Sequence, residues 1–220
     1  LSFRISAQDL VLTKGQPPLT LSIGPGLTLI HHAREAHASA LTLAIAGRFR
    51  PAKGTISLID DDGTHTGTRD RFSRIALAGA TEIDSLERGV SVRETLREQL
   101  AWSLPFYAWV PRDVVTHPRV ARWWDVLLPH VDPNEHVGDI AVQDRFLLRI
   151  VLALIARPQA SALLVDDIDQ LRDMSLRGEV LSSLSTVAQS LPVIVNTVNG
   201  DVDGLANDVI TLREAEEEAA

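Results

Sequence analysis

Short apolar runs separated by helical stretches constrain this chain most. LTLI at 27–30, ALLV at 162–165, PVIVNT at 192–197 and VITL at 209–212 have the length and character of strands buried within a sheet. Residues 143–156 read as a long amphipathic helix and 174–189 as another, and strands alternating with helices favour a parallel sheet. The first run leads through HHAREAHASA (31–40) into an apolar helix that begins near Ala38 and closes near Gly47. A strand, loop and helix in this order is where a phosphate-cradling loop is expected, because N–H groups at a helix start attract anions. The ten residues contain neither glycine nor lysine.

Ahead of this unit the chain reads as β-structure. Residues 2–6 and 10–13 are short candidate strands, 14–18 a turn and 19–23 a third strand, with GPG at 24–26 turning the chain into the first buried run. After the helix come a turn at 50–54, a strand at 55–59, an acidic glycine-containing loop at 60–70 and a strand at 74–78. From 91 to about 130 the pattern turns helical, carries all four tryptophans (102, 109, 123 and 124) and is cut into short helices by prolines 105, 111, 118, 129 and 133. The expected organisation is one domain over 1–220, with 1–90 and 145–220 forming a core plus β subdomain and 91–144 an inserted helical subdomain.

Composition narrows the function classes. The longest nearly apolar stretch, 146–156, is interrupted by Arg149 and is too short to cross a bilayer, and no segment reads as a signal peptide. The chain has no cysteine, which favours a reducing interior, and the expected location is the cytoplasm. A formal charge of -8 argues against a non-specific nucleic-acid binder. Part of the acidity sits in Glu214, Glu216, Glu217 and Glu218, which read as a solvated tail. Of 21 basic residues only Lys14 and Lys53 are lysines, so lysine-dependent phosphate chemistry must use one of these two.

Six segments in order resemble the ATP-binding subunit of an ABC transporter. They are the strand, loop and helix of 27–51; GTISL at 54–58; VSVRETL at 90–96, which is similar to the opening of that family's helical subdomain; IAVQD at 140–144, where the signature begins; LLVDD at 163–167, similar to a Walker B strand; and VIVNT at 193–197, before the switch histidine. The resemblance covers nearly the whole chain and implies an α/β, P-loop NTPase-like (ABC ATPase) core with an antiparallel β part and an inserted helical subdomain. The same register exposes departures in content. The Walker A positions read His32, Ala33, Arg34, Glu35, Ala36, His37, Ala38 and Ser39, of which Ser39 alone keeps the family's residue type, as a magnesium ligand.

Positions that need positive φ are costly for His or Ala, and Glu35 would set negative charge beside an anionic ligand. The missing lysine removes a charge-assisted contact of about 1.5–3 kcal/mol, roughly a ten- to hundredfold weakening. Arg34 or protonated His31, His32 and His37 are the available compensation. Asp166 corresponds to the magnesium-associated carboxylate. Asp167 stands where a glutamate activates water, one methylene short for a general base; as plain structure the two acids would cap the next segment. At the signature, Ala141 replaces serine, Val142 and Gln143 replace two glycines, and Asp144 replaces glutamine, so close backbone approach is blocked and a repelling charge added. The switch histidine falls at Val198, the Q-loop glutamine has no counterpart in 79–82, and no aromatic stands near Leu12 or Thr13 for adenine.

The family works in pairs, each signature completing the opposite site. A homodimer of this chain would lack both halves of each site, and pairing with an intact relative would leave each site missing one. The reading is therefore a pseudo-ATPase with a structural or regulatory role, peripheral to the inner face of the cell membrane, alongside a membrane permease or another ABC ATPase subunit. It expects no cofactor, with ATP and Mg bound only if the loop is compensated, and no nucleic acid. Trp102, Leu104, Phe106, Tyr107, Trp109, Val110, Trp123 and Trp124 form either a docking surface or the subdomain's own core. Two alternatives stand beside this: an atypical ATPase using Asp166, Asp167 and Ser39 with Arg34 replacing the lysine, and a soluble interaction module outside transport.

Overall fold

The computed structural model describes residues 3–32, 38–80 and 85–212. Arg34, Glu35 and His37 of the loop, the 81–84 segment and the acidic tail lie outside the described residues, as does the side chain of Ala38.

Five parallel strands form the central sheet. β3 (Leu27–His32), β6 (Ile75–Ala78), β7 (Ala162–Val165), β8 (Val193–Thr197) and β9 (Asp208–Leu212) are ordered β6-β7-β8-β3-β9. The pleat sends alternate side chains to opposite faces. Leu27, Leu29, Ala76, Ala78, Leu163, Val165, Val193 and Val195 enter one core, while Ile30, Ile75, Leu77, Ala162, Leu164 and Ile194 enter another. Burial on both faces explains why these strands read as continuous apolar runs. On the first face lie α5 (Val142–Ala156) and α6 (Met174–Ala188), together with α3 (Val92–Ser103) and α4 (Pro118–Leu127). On the second, α1 (Ala38–Ile45) buries Leu41, Ala44 and Ile45 beneath an antiparallel sheet.

That sheet has the order β2-β1-β4-β5, from β1 (Arg4–Val11), β2 (Leu19–Ile23), β4 (Lys53–Asp60) and β5 (Gly63–His65). Two short strands were expected at 2–6 and 10–13; the structure joins them into one β1. Its register against both neighbours shifts beyond Ala7–Gln8, and Asp9 adopts φ 47°. A bulge of this kind interrupts alternation without ending the strand. The loop expected at 60–70 instead contains β5 and the start of α2 (Thr68–Arg74). The buried Arg71 of α2 donates to the carbonyls of Ile45 (3.3 Å), Ile56 (3.1 Å) and Thr66. Gly47, at φ +68°, packs so closely on α2 that a Cβ would collide with the Thr68 carbonyl.

Between β6 and β7 the chain is helical. Ser91 and Glu94 form a reciprocal capping box at the start of α3, and Pro118 occupies the first turn of α4. α5 packs against α3 and α4 on one side and α6 and β6 on the other. The tryptophans divide into two classes: Trp123 and Trp124 are buried, whereas Trp102 and Trp109 are 80% and 88% exposed.

Candidate functional site

In open parallel sheets ligands bind beyond the carboxyl ends of the strands, where the order of connection reverses. Here that rim gathers Gly79 after β6, Asp166 and Asp167 after β7, Asn196 to Val198 at the end of β8, and His31 and His32 at the end of β3. Asp166 and Asn196 are 5% and 2% exposed, and the Asn196 Nδ2 donates to Asp166 Oδ1 at 3.0 Å while also meeting the Thr42 hydroxyl on α1. Gly79, at φ +80°, lies against the Asp166 carbonyl so closely that a Cβ would collide with it.

The turn after β7 is bound to its neighbours by side chains. Asp169 accepts from the Val198 N–H at 2.7 Å and from Asn199 Nδ2 at 2.6 Å, and pairs with Arg177 Nε at 3.3 Å. Arg177 is fully buried on α6, and its Nη2 donates to Thr197 Oγ1 (2.9 Å) and the Asn199 carbonyl (3.3 Å). Gln170 Nε2 donates to the Gly79 carbonyl at 2.6 Å, with Arg149 Nη1 donating to Gln170 Oε1 at 3.0 Å. The switch position, Val198, is thus held through its backbone, and its carbonyl lies 3.2 Å from His31 Nε2.

Asp167 adopts φ 49°, ψ 68° and turns outward. Partial burial of its carboxyl, with Asp169 and Asp166 close by, raises its pKa above the ordinary value, and His32 offsets this in part. A carboxyl that binds its proton more tightly when folded stabilises the fold least when ionised. The contribution is therefore full at low pH and lost as pH rises through the folded pKa. Asp167→Asn is accordingly expected to melt higher than the wild type at neutral pH, the gap closing below about pH 4, the ordinary carboxylate value. A gap that persists unchanged in acid would show that relief of charge is not its cause.

Of the Walker A residues, His32 is buried at the end of β3 and Ser39 is exposed in the first turn of α1. Lys14 and Lys53 meet elsewhere, lining a groove of the antiparallel sheet with Asp9 and Gln16. At the signature, Ala141 caps α5 without a side-chain bond, Val142 is 44% exposed and Gln143 half-buried. Asp144 is buried, and its Oδ1 lies 3.0 Å from His130 Nε2, because its place in the first turn of α5 turns it toward the preceding loop. Among the described residues no group of three acidic, histidine or cysteine side chains is arranged to hold a metal ion.

Asn196, Thr42, Asp169, Gln170 and Arg177 escaped sequence reading. One signal was present: Arg177 lies one turn before Val180 and Leu181 on the buried stripe of α6, where an arginine implies a buried partner.

A parallel sheet with its acidic turn after β7, covered by an antiparallel sheet on one face and helices on the other, defines a P-loop NTPase-like scaffold of the ABC ATPase kind. Solved structures agree. A Pyrococcus furiosus protein described as an ABC transporter ATP-binding protein superposes with a TM-score of 0.70 at 15% identity, covering 95% of this chain and 97% of its own. CbiO1 of Clostridium perfringens, described as part of the ABC transporter complex CbiONQ, gives 0.77 at 15% identity, with 97% and 86% covered. A bacterial Atm1-family ABC exporter solved with ATP bound gives 0.68 at 12% identity, with 98% of this chain and 38% of that one covered. No protein-family profile matches the sequence, and no curated protein sequence matches it. The chain has the fold of an ABC transporter ATP-binding domain.

Proposed function

We propose that this chain is an ABC ATPase-like subunit that has lost ordinary ATP hydrolysis and serves a structural or regulatory role beside a membrane permease or a second ATPase subunit. The observation that carries the reading is the charge of the rim. Asp166, Asp167 and Asp169 cluster in the turn after β7, and Arg177 is buried against Asp169. With no cation between them, anionic phosphates brought to this turn meet carboxylates and are repelled. Val142 and Val198, at the signature and switch positions, offer no polar side chain. Titration with ATP and with ADP, with and without magnesium, tests the reading.

An atypical ATPase is the second reading, because Asp166 and Asp167 do occupy the end of β7. Arg34 would then replace the lysine and Ser39 join Asp166 at magnesium. Magnesium-dependent turnover abolished by Asp167→Asn would establish it.

The partner surface is the last turn of α3 and the loop that joins it to α4. Trp102, Phe106, Tyr107 and Trp109 are 78–100% exposed. The loop is anchored by Arg97 Nη1 to the Pro111 carbonyl (2.6 Å) and by Arg119 Nη1 to the Ser103 carbonyl (2.7 Å). Anchored aromatics lose little freedom on docking and are typical binding hot spots. Among the described residues no helix is long and apolar enough to cross a membrane, and the proposed place is the inner face of the membrane, beneath a permease. Trp102→Ser with Trp109→Ser is expected to change stability by no more than about 0.5 kcal/mol per site. The same pair should weaken co-purification with a membrane partner by about thirtyfold or more. Retention of the partner at wild-type yield would remove this surface from the interface.

A further inference from the structure

Asn196 is the most unusual side chain of the rim. It follows Val193, Ile194 and Val195 in a fully buried strand, where an amide is disfavoured unless its hydrogen bonds are made. The orientation of its amide follows from chemistry: facing a carboxylate, the amide must present its NH2, since its oxygen would meet another oxygen. One atom of Asp166, the residue that the scaffold assigns to a divalent cation, is therefore already engaged by an N–H donor. Asp166, Asn196 and Thr42 are at most 5% exposed, and they join β7, β8 and α1. A cation at Asp166 would have to share a buried carboxylate with that donor or reach its other oxygen behind the 5% of the residue that is exposed. Ser39, the other expected ligand, stands on the exposed first turn of α1. The described residues thus offer a divalent cation one buried carboxylate that already holds an N–H donor, in place of an open acidic site.

We infer that Asn196 takes the cation's place. Its neutral amide supplies Asp166 with an N–H donor in place of a charge and ties the three elements together, so the rim is assembled without metal. The inference rests on the reading that ordinary hydrolysis is lost, and it names the residue that makes the loss structural.

The test uses Mn2+ as a spectroscopic probe, followed by electron paramagnetic resonance and by thermal melting. Full-length wild type, Asn196→Asp and Asn196→Ser are compared, each with and without Asp166→Asn. Wild type is expected to show no Mn2+ binding that depends on Asp166, and no shift in melting. Asn196→Asp sets two carboxylates face to face and is expected to bind Mn2+ at least roughly tenfold tighter, since clustered carboxylates are the ligands hard cations favour. Its melting temperature should rise with Mn2+, and Asp166→Asn should abolish both effects. Asn196→Ser retains a small polar group and decides the matter if the aspartate variant does not fold: it should melt lower than wild type and recover in part with Mn2+. Asp166-dependent Mn2+ binding by wild type would overturn the inference. So would Mn2+ insensitivity of every folded Asn196 variant. Magnesium-dependent ATP turnover by wild type would instead refute the loss of hydrolysis while leaving the Mn2+ contrast readable, so the two failures are distinct.

Discussion

Arg177→Ala is expected to destabilise the protein by about 3–5 kcal/mol, the usual cost of removing one partner from a buried ion pair. For a domain of this size that is a fall in melting temperature of roughly 6–20 °C. The cause is electrostatic rather than volumetric. With the guanidinium gone, Asp169 keeps its bonds from the Val198 N–H and Asn199 but loses the cation 3.3 Å from its Oδ1. Thr197 and the Asn199 carbonyl lose a donor at the same time. Arg177→Met separates the contributions, since it restores most of the packing but none of the charge. It should recover only a minor part of the loss. In a double-mutant cycle with Asp169→Asn the two changes should couple by roughly 0.5–3 kcal/mol. Additive effects would mean that the pair contributes no stability as a pair, leaving the rest of the network to hold the switch segment.

Gly79→Ala should have a comparable effect from a different origin. Gly79 holds φ +80°, a region that costs an L-residue about 1–2 kcal/mol, and the new Cβ would meet the Asp166 carbonyl, a backbone atom fixed by the hydrogen bond from Asp166 N to the Ala78 carbonyl at 2.8 Å. Forcing β6 and β7 apart adds an overpacking cost of about 1–3 kcal/mol. The expected loss is therefore about 2–5 kcal/mol. Chemical denaturation measures it; a loss below about 0.5 kcal/mol, the range of an ordinary surface substitution, would show that the two strands separate freely there. Such freedom would also contradict the close tie through Gln170, whose amide donates to the Gly79 carbonyl.

Both substitutions act on the rim, which was the less legible part of the molecule. The sheet itself was readable because strands buried on both faces are almost wholly apolar: in 27–30, 162–165 and 193–195 Thr28 alone is polar, and it is buried. β5 was not readable, being three residues long and set among Asp60, Asp61 and Asp62, where composition signals a loop. The Asp9 bulge was hidden for a related reason, since alternation breaks at a strand's end and at a bulge alike. In the site, Asp166 and Asp167 could be placed from their position after an apolar strand. The surrounding contacts could not, because Asn196 reaches Asp166, and Arg177 reaches Asp169, from separate elements that only the fold brings together. Asp144 is the instructive case. Its charge was correctly noted, but only the fold sets it against His130 instead of leaving it bare.

Taken together, two of the rim's carboxylates, Asp166 and Asp169, are satisfied by the chain's own donors, on a scaffold whose solved counterparts are described as ATP-binding proteins. Isothermal titration of the full chain with ATP in the presence of magnesium tests this most directly. The proposed loss of the phosphate site predicts no saturable heat in the micromolar range, and no rise in melting temperature with nucleotide. Micromolar, magnesium-dependent binding that disappears in Asp166→Asn would contradict it, and would mean that residues 32–39 hold phosphate by another arrangement of charge.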